Sequence, residues 1–211
     1  MLHRATDRAS SRRRLRRGGR GRSGFTLAES LIAITLATTA GAALMLTMGT
    51  SVETTKYTLD KIIAAGLAEQ VMDEIMGTRY AGAGVGPTQW PLGPNSVEAA
   101  GNGRELFDDT DDFHDFTASP PQDERGLTVG QADSRGLDRH PNFVAPTGYF
   151  NGWTQEIDVY YVDESDPTIR LADGVTSQIR AVEVRILEPL VDGGTRPLVT
   201  LRRVYAYVPG M

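Results

Sequence analysis

Residues 24–52 read GFTLAESLIAITLATTAGAALMLTMGTSV, and from Ser30 to Val52 this stretch contains no charged residue. As an α-helix, the charge-free run would be about 34 Å long, enough to cross the roughly 30 Å hydrocarbon core of a lipid bilayer. The stretch therefore predicts one helix near the N-terminus that is able to span a membrane.

The net charge of the chain changes sign at this stretch. Residues 1–24 contain nine arginines and one aspartate, a net charge of +8, whereas residues 25–211 carry −13 and the whole chain carries −5. An arginine cluster directly before a membrane span places the N-terminus in the cytoplasm and the rest of the chain on the far side. Arginine runs also bind nucleic-acid phosphates, but the positive-inside pattern accounts for these arginines. We therefore expect no nucleic-acid partner.

The composition of the chain excludes several classes of site. With 211 residues, 40% of them hydrophobic, the chain is too apolar to be wholly disordered. It has no cysteine, which excludes disulfides, thiolate zinc sites and cysteine nucleophiles. Three histidines are too few and too scattered to predict a multi-histidine metal centre. The sequence also contains no phosphate-binding glycine loop or serine elbow, so we expect a protein that is not an enzyme.

Two interpretations of the apolar run remain open. The first is a cleavable export signal with a small-residue site near Ala40–Ala42, and Ser11–Leu15 (SRRRL) is similar to a twin-arginine signal. It would make the chain an exported soluble enzyme or binding protein. The second is a permanent anchor. Glu29 breaks the start of the run, and the run is longer than the roughly 7–15 apolar residues of an export signal. Both observations favour the anchor.

The segment Gly24–Ile34 (GFTLAESLIAI), with its basic leader, resembles the class III signal of the type IV pilin and pseudopilin superfamily. The resemblance implies cleavage between Gly24 and Phe25 by a prepilin peptidase, followed by N-methylation of Phe25. It also implies an assembly role for Glu29, whose carboxylate would pair with the Phe25 amine of a neighbouring subunit. A buried charge without its partner is costly, so such a pair can set the register of assembly.

The resemblance carries expectations for the whole protein. The stretches LAEQVMDEI (67–75) and FDDTDDFHDF (107–116) are most similar to minor pilins or minor pseudopilins of the type II secretion or mannose-sensitive haemagglutinin kind. Such a protein is a structural minor subunit, first a single-pass inner-membrane protein with a periplasmic head and then part of a filament. Its expected partners are other pilins or pseudopilins, the prepilin peptidase, the inner-membrane assembly platform and membrane lipid.

The expected fold is α+β and pilin-like, with a long N-terminal helix packed on a small antiparallel β-sheet head. Ile63, Leu67, Val71 and Ile75 recur every four residues and predict that the helix continues to about Tyr80, with Gly77 as a stop signal. Period-two alternation predicts strands at Trp153–Val162, Ile179–Leu187 and Leu198–Val208, with a turn at Asp192–Gly194. The predicted divisions are 1–24 leader, 25–52 membrane half of the helix, 53–80 amphipathic half, 81–151 irregular acidic insertion and 152–211 sheet.

The insertion contains a dense group of carboxylates, at Asp108, Asp109, Asp111, Asp112 and Asp115. Oxygen-rich clusters of this kind bind Ca²⁺, although the spacing is not that of an EF-hand. The alternative is a solvated acidic loop that Phe107, Phe113 and Phe116 hold against the head. The spacing of these aspartates along the sequence does not guarantee that their oxygens converge on one point, so the solvated loop is the favoured interpretation. We expect no cofactor besides this candidate Ca²⁺.

Overall fold

A computed structural model describes residues 24–131, 144–190 and 192–209. The predicted leader therefore lies outside the described residues, apart from Gly24. The chain divides into two compact units, Met1–Ser51 and Val52–Met211, and each is described by itself below.

One long helix, α1, runs from Leu27 to Met76. It ends directly before the predicted stop signal Gly77 and four residues short of the predicted end at about Tyr80. The Gly77 N–H still donates to the carbonyls of Asp73 and Glu74, at 3.1 and 3.2 Å, and the Thr78 N–H donates to the Ile75 carbonyl at 3.1 Å. Within the second unit, α1 buries one face, formed by Asp60, Ala64, Ala68, Val71, Met72 and Ile75. All four residues of the predicted apolar stripe belong to this face: Val71 and Ile75 are buried in the core, and Ile63 and Leu67 are half-buried and pack against it.

The sheet has four antiparallel strands in the order β1-β2-β3-β4. They are β1 Phe116–Ala118, β2 Thr154–Tyr161, β3 Ile179–Pro189 and β4 Thr195–Ala206. The three predicted strands are confirmed, with β4 beginning three residues early and ending two early. The prediction of residues 81–151 as wholly irregular is wrong at β1, and 3₁₀ turns also occur at Glu98–Ala100 and Asp111–Phe113. The α+β class is confirmed.

The hydrophobic core of the second unit lies between the buried face of α1 and the sheet. Ala64, Ala68 and Met72 are fully buried there, as are Val182 and Val184 of β3. The aromatic side chains of Phe113, Phe150 and Trp153 complete the cluster.

Within the described residues, α1 is the one helix long and apolar enough to cross a membrane. Its most apolar window of 18 residues has a mean hydropathy of 1.9, and no part of that window is buried. Its length and its composition are the two grounds for regarding α1 as able to span a membrane, and an N-terminal signal sequence also meets both.

Candidate functional site

The first candidate site is the start of α1. Residues 24–26 are not helical, and Phe25 is 82% exposed. The Thr26 N–H and hydroxyl each donate to Glu29 Oε2 at 2.9 Å, and the Glu29 N–H donates back to Thr26 Oγ1 at 3.2 Å. This reciprocal pair is a capping box, which satisfies two backbone donors that the first turn of a helix leaves open.

The capping box has two consequences for the predicted processing site. The helix begins at Leu27, so the Gly24–Phe25 peptide bond lies outside it in non-helical backbone. The Glu29 carboxylate is held at the positive end of the helix dipole, close to Phe25 in sequence. Only its Oε2 atom accepts these hydrogen bonds, so Oε1 is available to a second donor.

The second candidate site is the acidic segment. Asp109, Asp111 and Asp112 are only 4%, 1% and 2% exposed. The interpretation of this segment as a solvated loop is therefore wrong for these three residues and holds only for Asp108 and Asp115. The aromatic part of that interpretation is confirmed. Phe113 is buried in the core, Phe107 and Phe116 pack against it, and the Phe107 ring lies edge-to-face on the rings of the other two.

The guanidinium of Arg180, which is 0% exposed on β3, pairs with one of these buried aspartates, Asp111. Its Nη1 atom donates to Asp111 Oδ1 at 3.1 Å and to the Tyr80 carbonyl at 2.7 Å, and its Nη2 atom donates to the Tyr161 hydroxyl at 3.0 Å. The rings of Tyr80 and Tyr161 lie 4.6 and 5.0 Å from the guanidinium carbon. Arg180 therefore ties the acidic segment to the sheet by charge, hydrogen bonds and cation–π contacts.

A cavity of about 220 Å³ adjoins this cluster and is lined by the carboxylates of Glu98, Asp108, Asp109 and Asp112. Burial raises the pKa of Asp109 to about 7, with a further contribution from neighbouring Asp111. Burial also raises the pKa of Asp112 to about 6, against the hydrogen bonds that its carboxylate accepts from backbone amides. Of these buried carboxylates, Asp111 is the one paired with the Arg180 guanidinium, which also opposes the rise in the pKa of Asp109.

The same carboxylates form two of the three groups of described residues that could hold a metal ion, the third being His114, Asp115 and Asp158. Single oxygens of Glu98, Asp108 and Asp112 lie within 4.8 Å of one another, as do those of Asp109, Asp111 and Asp112. Four of the five predicted calcium ligands therefore lie together. Binding of Ca²⁺ by them stays a prediction.

Asp115, the fifth predicted ligand, lies in a different group. It is exposed, has a φ of 56°, and its carboxylate is 3.5 Å from His114 Nε2. The other ring nitrogen of His114 is 3.1 Å from Asp158, which also accepts a hydrogen bond from Arg170. The bond to Asp158 raises the pKa of His114. Burial opposes ionisation of Asp158, but the bonds from His114 and Arg170 outweigh it and lower the pKa of Asp158.

Sequence reasoning missed two residues of the acidic site. Arg180 has the same strand parity as Val182, Val184 and Ile186, so its inward position was readable from the alternation. Glu98 gave no such signal, because it lies ten or more residues before the aspartates in irregular chain. A second ion pair was also missed. Arg104, 2% exposed, binds Glu74 of α1 through two hydrogen bonds of 2.8 Å.

No family model, no curated protein and no solved structure matches this chain. A functional assignment therefore depends on the residues and the geometry described above.

Proposed function

We propose that the chain is a structural subunit of a type IV pilus-like filament, either a pilus or the pseudopilus of a type II secretion system. In this proposal the leader is removed at Gly24–Phe25, Phe25 is methylated, and the head is presented on the far side of the inner membrane. The fold is then pilin-like, and the large insertion between helix and sheet favours a minor subunit. Filament assembly recruits sister subunits and an inner-membrane platform.

One observation carries this proposal: the charge-free run of residues 30–52, in a helix whose most apolar window has no buried residue, directly follows the sequence GFTLAE. The capping box adds support, because it leaves the proposed scissile bond in non-helical backbone, where a protease can bind an extended substrate. The box also lowers the cost of a carboxylate at membrane depth, roughly 2.5–3.5 kcal/mol, by giving Glu29 partners within its own chain.

The rival function, an exported soluble enzyme or binding protein, makes a different prediction for the mature N-terminus. Peptidase processing in our proposal gives a membrane-bound chain that begins with methylated Phe25. A general or twin-arginine signal gives a soluble chain that begins near Ala43. Intact mass and N-terminal sequencing of the protein from fractionated cells distinguish these two products.

Matched variants sharpen this experiment. Gly24→Leu adds bulk at the proposed cleavage site and should leave the leader attached, whereas Ala42→Leu should be processed normally. The opposite result, with Ala42→Leu retaining its leader and Gly24→Leu losing it, would establish the general export signal instead.

The assembly role of Glu29 needs a separate test. Glu29→Gln keeps the shape of the side chain but removes its charge, so insertion and processing should remain while incorporation into filaments falls at least about tenfold, the effect of losing ~1.4 kcal/mol. Thr26→Val removes only the hydroxyl half of the capping box and should retain most incorporation. Incorporation is measured as the sheared, sedimentable fraction of processed protein. Equal incorporation of Glu29→Gln and wild type contradicts the pairing role.

A further inference from the structure

Trp90 presents an aromatic side chain to solvent. It is 43% exposed, whereas Trp153, the second tryptophan of the chain, is 5% exposed in the core. The shallow pocket that Trp90 lines also contains Leu171, Asp173 and Val175, of which Val175 is 50% exposed. These four residues, 90, 171, 173 and 175, are hereafter the Trp90 surface. An exposed aromatic side chain beside another exposed apolar group marks a site of contact with a second molecule.

The pocket is too small to enclose a ligand. Its volume is about 10 Å³, roughly the room that one water molecule needs. Pockets that enclose small molecules have volumes of roughly 300–1,000 Å³. The approach to the indole is open, because a Cβ atom on Gly174 would lie 4.0 Å from Trp90 Nε1 and glycine has none. An occupant therefore lies over the Trp90 surface, as a side chain of a second protein would.

Carboxylates dominate the loop that carries most of this surface. Residues 163–175 contain four acidic residues and one arginine. That arginine, Arg170, also lines the pocket, but it donates to Asp158 and its guanidinium carbon lies 4.3 Å from the centre of the Tyr160 ring. Asp173 is exposed, and no described residue donates a hydrogen bond to it. Its carboxylate is therefore available to a donor from another molecule.

His114 lines the pocket as well, and it does not change the sign of the charge there. Its ring nitrogens face Asp158 at 3.1 Å and Asp115 at 3.5 Å. These two carboxylates and that of Asp173 stand against the single fixed positive charge of Arg170. The group therefore has a net charge of about −2 when His114 is neutral and about −1 when it is protonated. A positively charged occupant is favoured in both states.

We propose that the Trp90 surface binds an arginine side chain on an exposed segment of a partner protein. The guanidinium lies over the Trp90 ring, because tryptophan is the aromatic side chain that attracts a cation most strongly. It donates to the Asp173 carboxylate at the same time, which a planar guanidinium does better than a lysine ammonium. Leu171 and Val175 contact the methylene groups of the bound side chain. This inference does not depend on the proposed filament function, and each can fail without the other.

Nuclear magnetic resonance of the full chain in a non-ionic detergent tests the proposal, because two tryptophans give two indole N–H signals. The Trp90→Leu variant identifies the Trp90 signal, and buried Trp153 is the internal control. The probes are three peptides that differ at one position, Ac-GLRLG-amide, Ac-GLQLG-amide and Ac-GLELG-amide. The arginine peptide should shift the Trp90 signal saturably and leave the Trp153 signal in place. It should bind at least about twofold more tightly than the glutamine peptide, and the glutamate peptide should bind most weakly.

A charge substitution with a matched control supplies the second arm. Asp173→Asn should weaken binding of the arginine peptide about two- to fivefold, whereas Asp192→Asn, on the exposed β3–β4 turn, should leave it unchanged. A Trp90 signal that does not move, or that moves no more than the Trp153 signal, overturns the inference. Equal affinities for the arginine and glutamine peptides overturn the cation as occupant, and wild-type affinity in Asp173→Asn overturns the role of the carboxylate.

Photo-cross-linking in cells tests for the partner itself. A benzophenone amino acid at position 175 should cross-link to a protein segment that contains arginine, and the same group at exposed Thr200 of β4 should not capture that segment. Replacing this arginine by glutamine in the partner should lower the cross-link about two- to fivefold. A captured segment without arginine, or a yield that this replacement does not change, contradicts the inference. Leader processing and filament incorporation are measured separately and report only on the proposed function.

Discussion

Arg180 holds the acidic segment against the sheet in the second unit, Val52–Met211, which is called the head below. A guanidinium with no exposed surface is stable only when its charge and most of its N–H groups find partners. The Nη1 and Nη2 atoms of Arg180 donate to Asp111, the Tyr161 hydroxyl and the Tyr80 carbonyl, whereas its buried Nε atom has no hydrogen-bond partner among the described residues. The arrangement nevertheless places more negative than positive charge in the interior, because Asp109 and Asp112 are buried beside Asp111. The stability of the head should therefore depend on the protonation of these carboxylates, and so on pH.

We predict that the head loses stability as pH rises from about 4 to 7 and beyond. The folded pKa of Asp109, about 7, lies above the usual value of roughly 3.9 for an unfolded chain, so the folded state binds the extra proton in this window. Asp112, at about 6, and His114, whose pKa is also raised, act in the same direction. Each proton contributes a slope of up to about 1.4 kcal/mol per pH unit.

Urea unfolding of wild type and Asp109→Asn between pH 5 and pH 8 measures this slope. The asparagine keeps the Oδ1 acceptor for the Asp111 amide and removes the charge, so its stability should change less with pH. Asp163→Asn, on an exposed loop, is the control that should keep the wild-type slope. A wild-type stability that rises from pH 5 to pH 8 would contradict the prediction. Repeating the pH 8 series with Ca²⁺ tests the calcium prediction, since a bound ion should restore the lost stability.

At the level of elements, the hairpin between β3 and β4 follows directly from its turn residues. The Asp192-Gly193-Gly194 signal predicted the turn, and Leu190 and Gly194 close it with a 2.8 Å backbone hydrogen bond. Gly193 has a φ of 86°, a conformation that side-chain-bearing residues adopt at a cost. Gly194, its neighbour, does not have a positive φ.

Gly193→Ala should therefore destabilise the head by about 1 kcal/mol, or roughly 2–4 °C in Tm. Space is not the cause, because a Cβ atom at Gly193 would meet nothing within 4 Å. Gly194→Ala is the matched control and should cost much less, since its nearest contact is an ordinary 3.4 Å to Asp192. Thermal unfolding followed by circular dichroism compares the two. Equal losses for both variants would show that the turn does not depend on the positive φ.

The same elements show where sequence reasoning succeeds and where it stops. Long periodic patterns predicted α1 and the three long strands, because burial of one face imposes the period directly. β1 was not predicted because a strand of three residues is too short to show a period, and its pairing with β2 depends on residues far along the chain.

The burial of the carboxylates was not predicted for a related reason. A run of aspartates predicts exposure, and only the tertiary position of Arg180 makes burial tolerable.

At the level of the whole molecule, the division of the chain falls within α1 rather than at a loop. The contacts separate between Ser51 and Val52, one residue before the end of the charge-free run. Every buried side chain of the described residues lies between Asp60 and Leu198, inside the second unit. The first unit therefore contributes no buried residue among those described.

A fragment of residues 52–211 should accordingly fold alone and unfold cooperatively, with a Tm within a few degrees of the full chain in detergent. The matched control, residues 66–211, removes Ala64 and the hydrogen bond from the Tyr149 hydroxyl to Asp60, both at the buried face of α1. Losing these contacts should lower Tm by about 2–4 °C for each kcal/mol of stability removed. Near-ultraviolet circular dichroism and thermal melts measure both fragments. If residues 52–211 failed to fold while the full chain was stable, the stem would be part of the head's folding unit, and a division at residue 52 would be wrong.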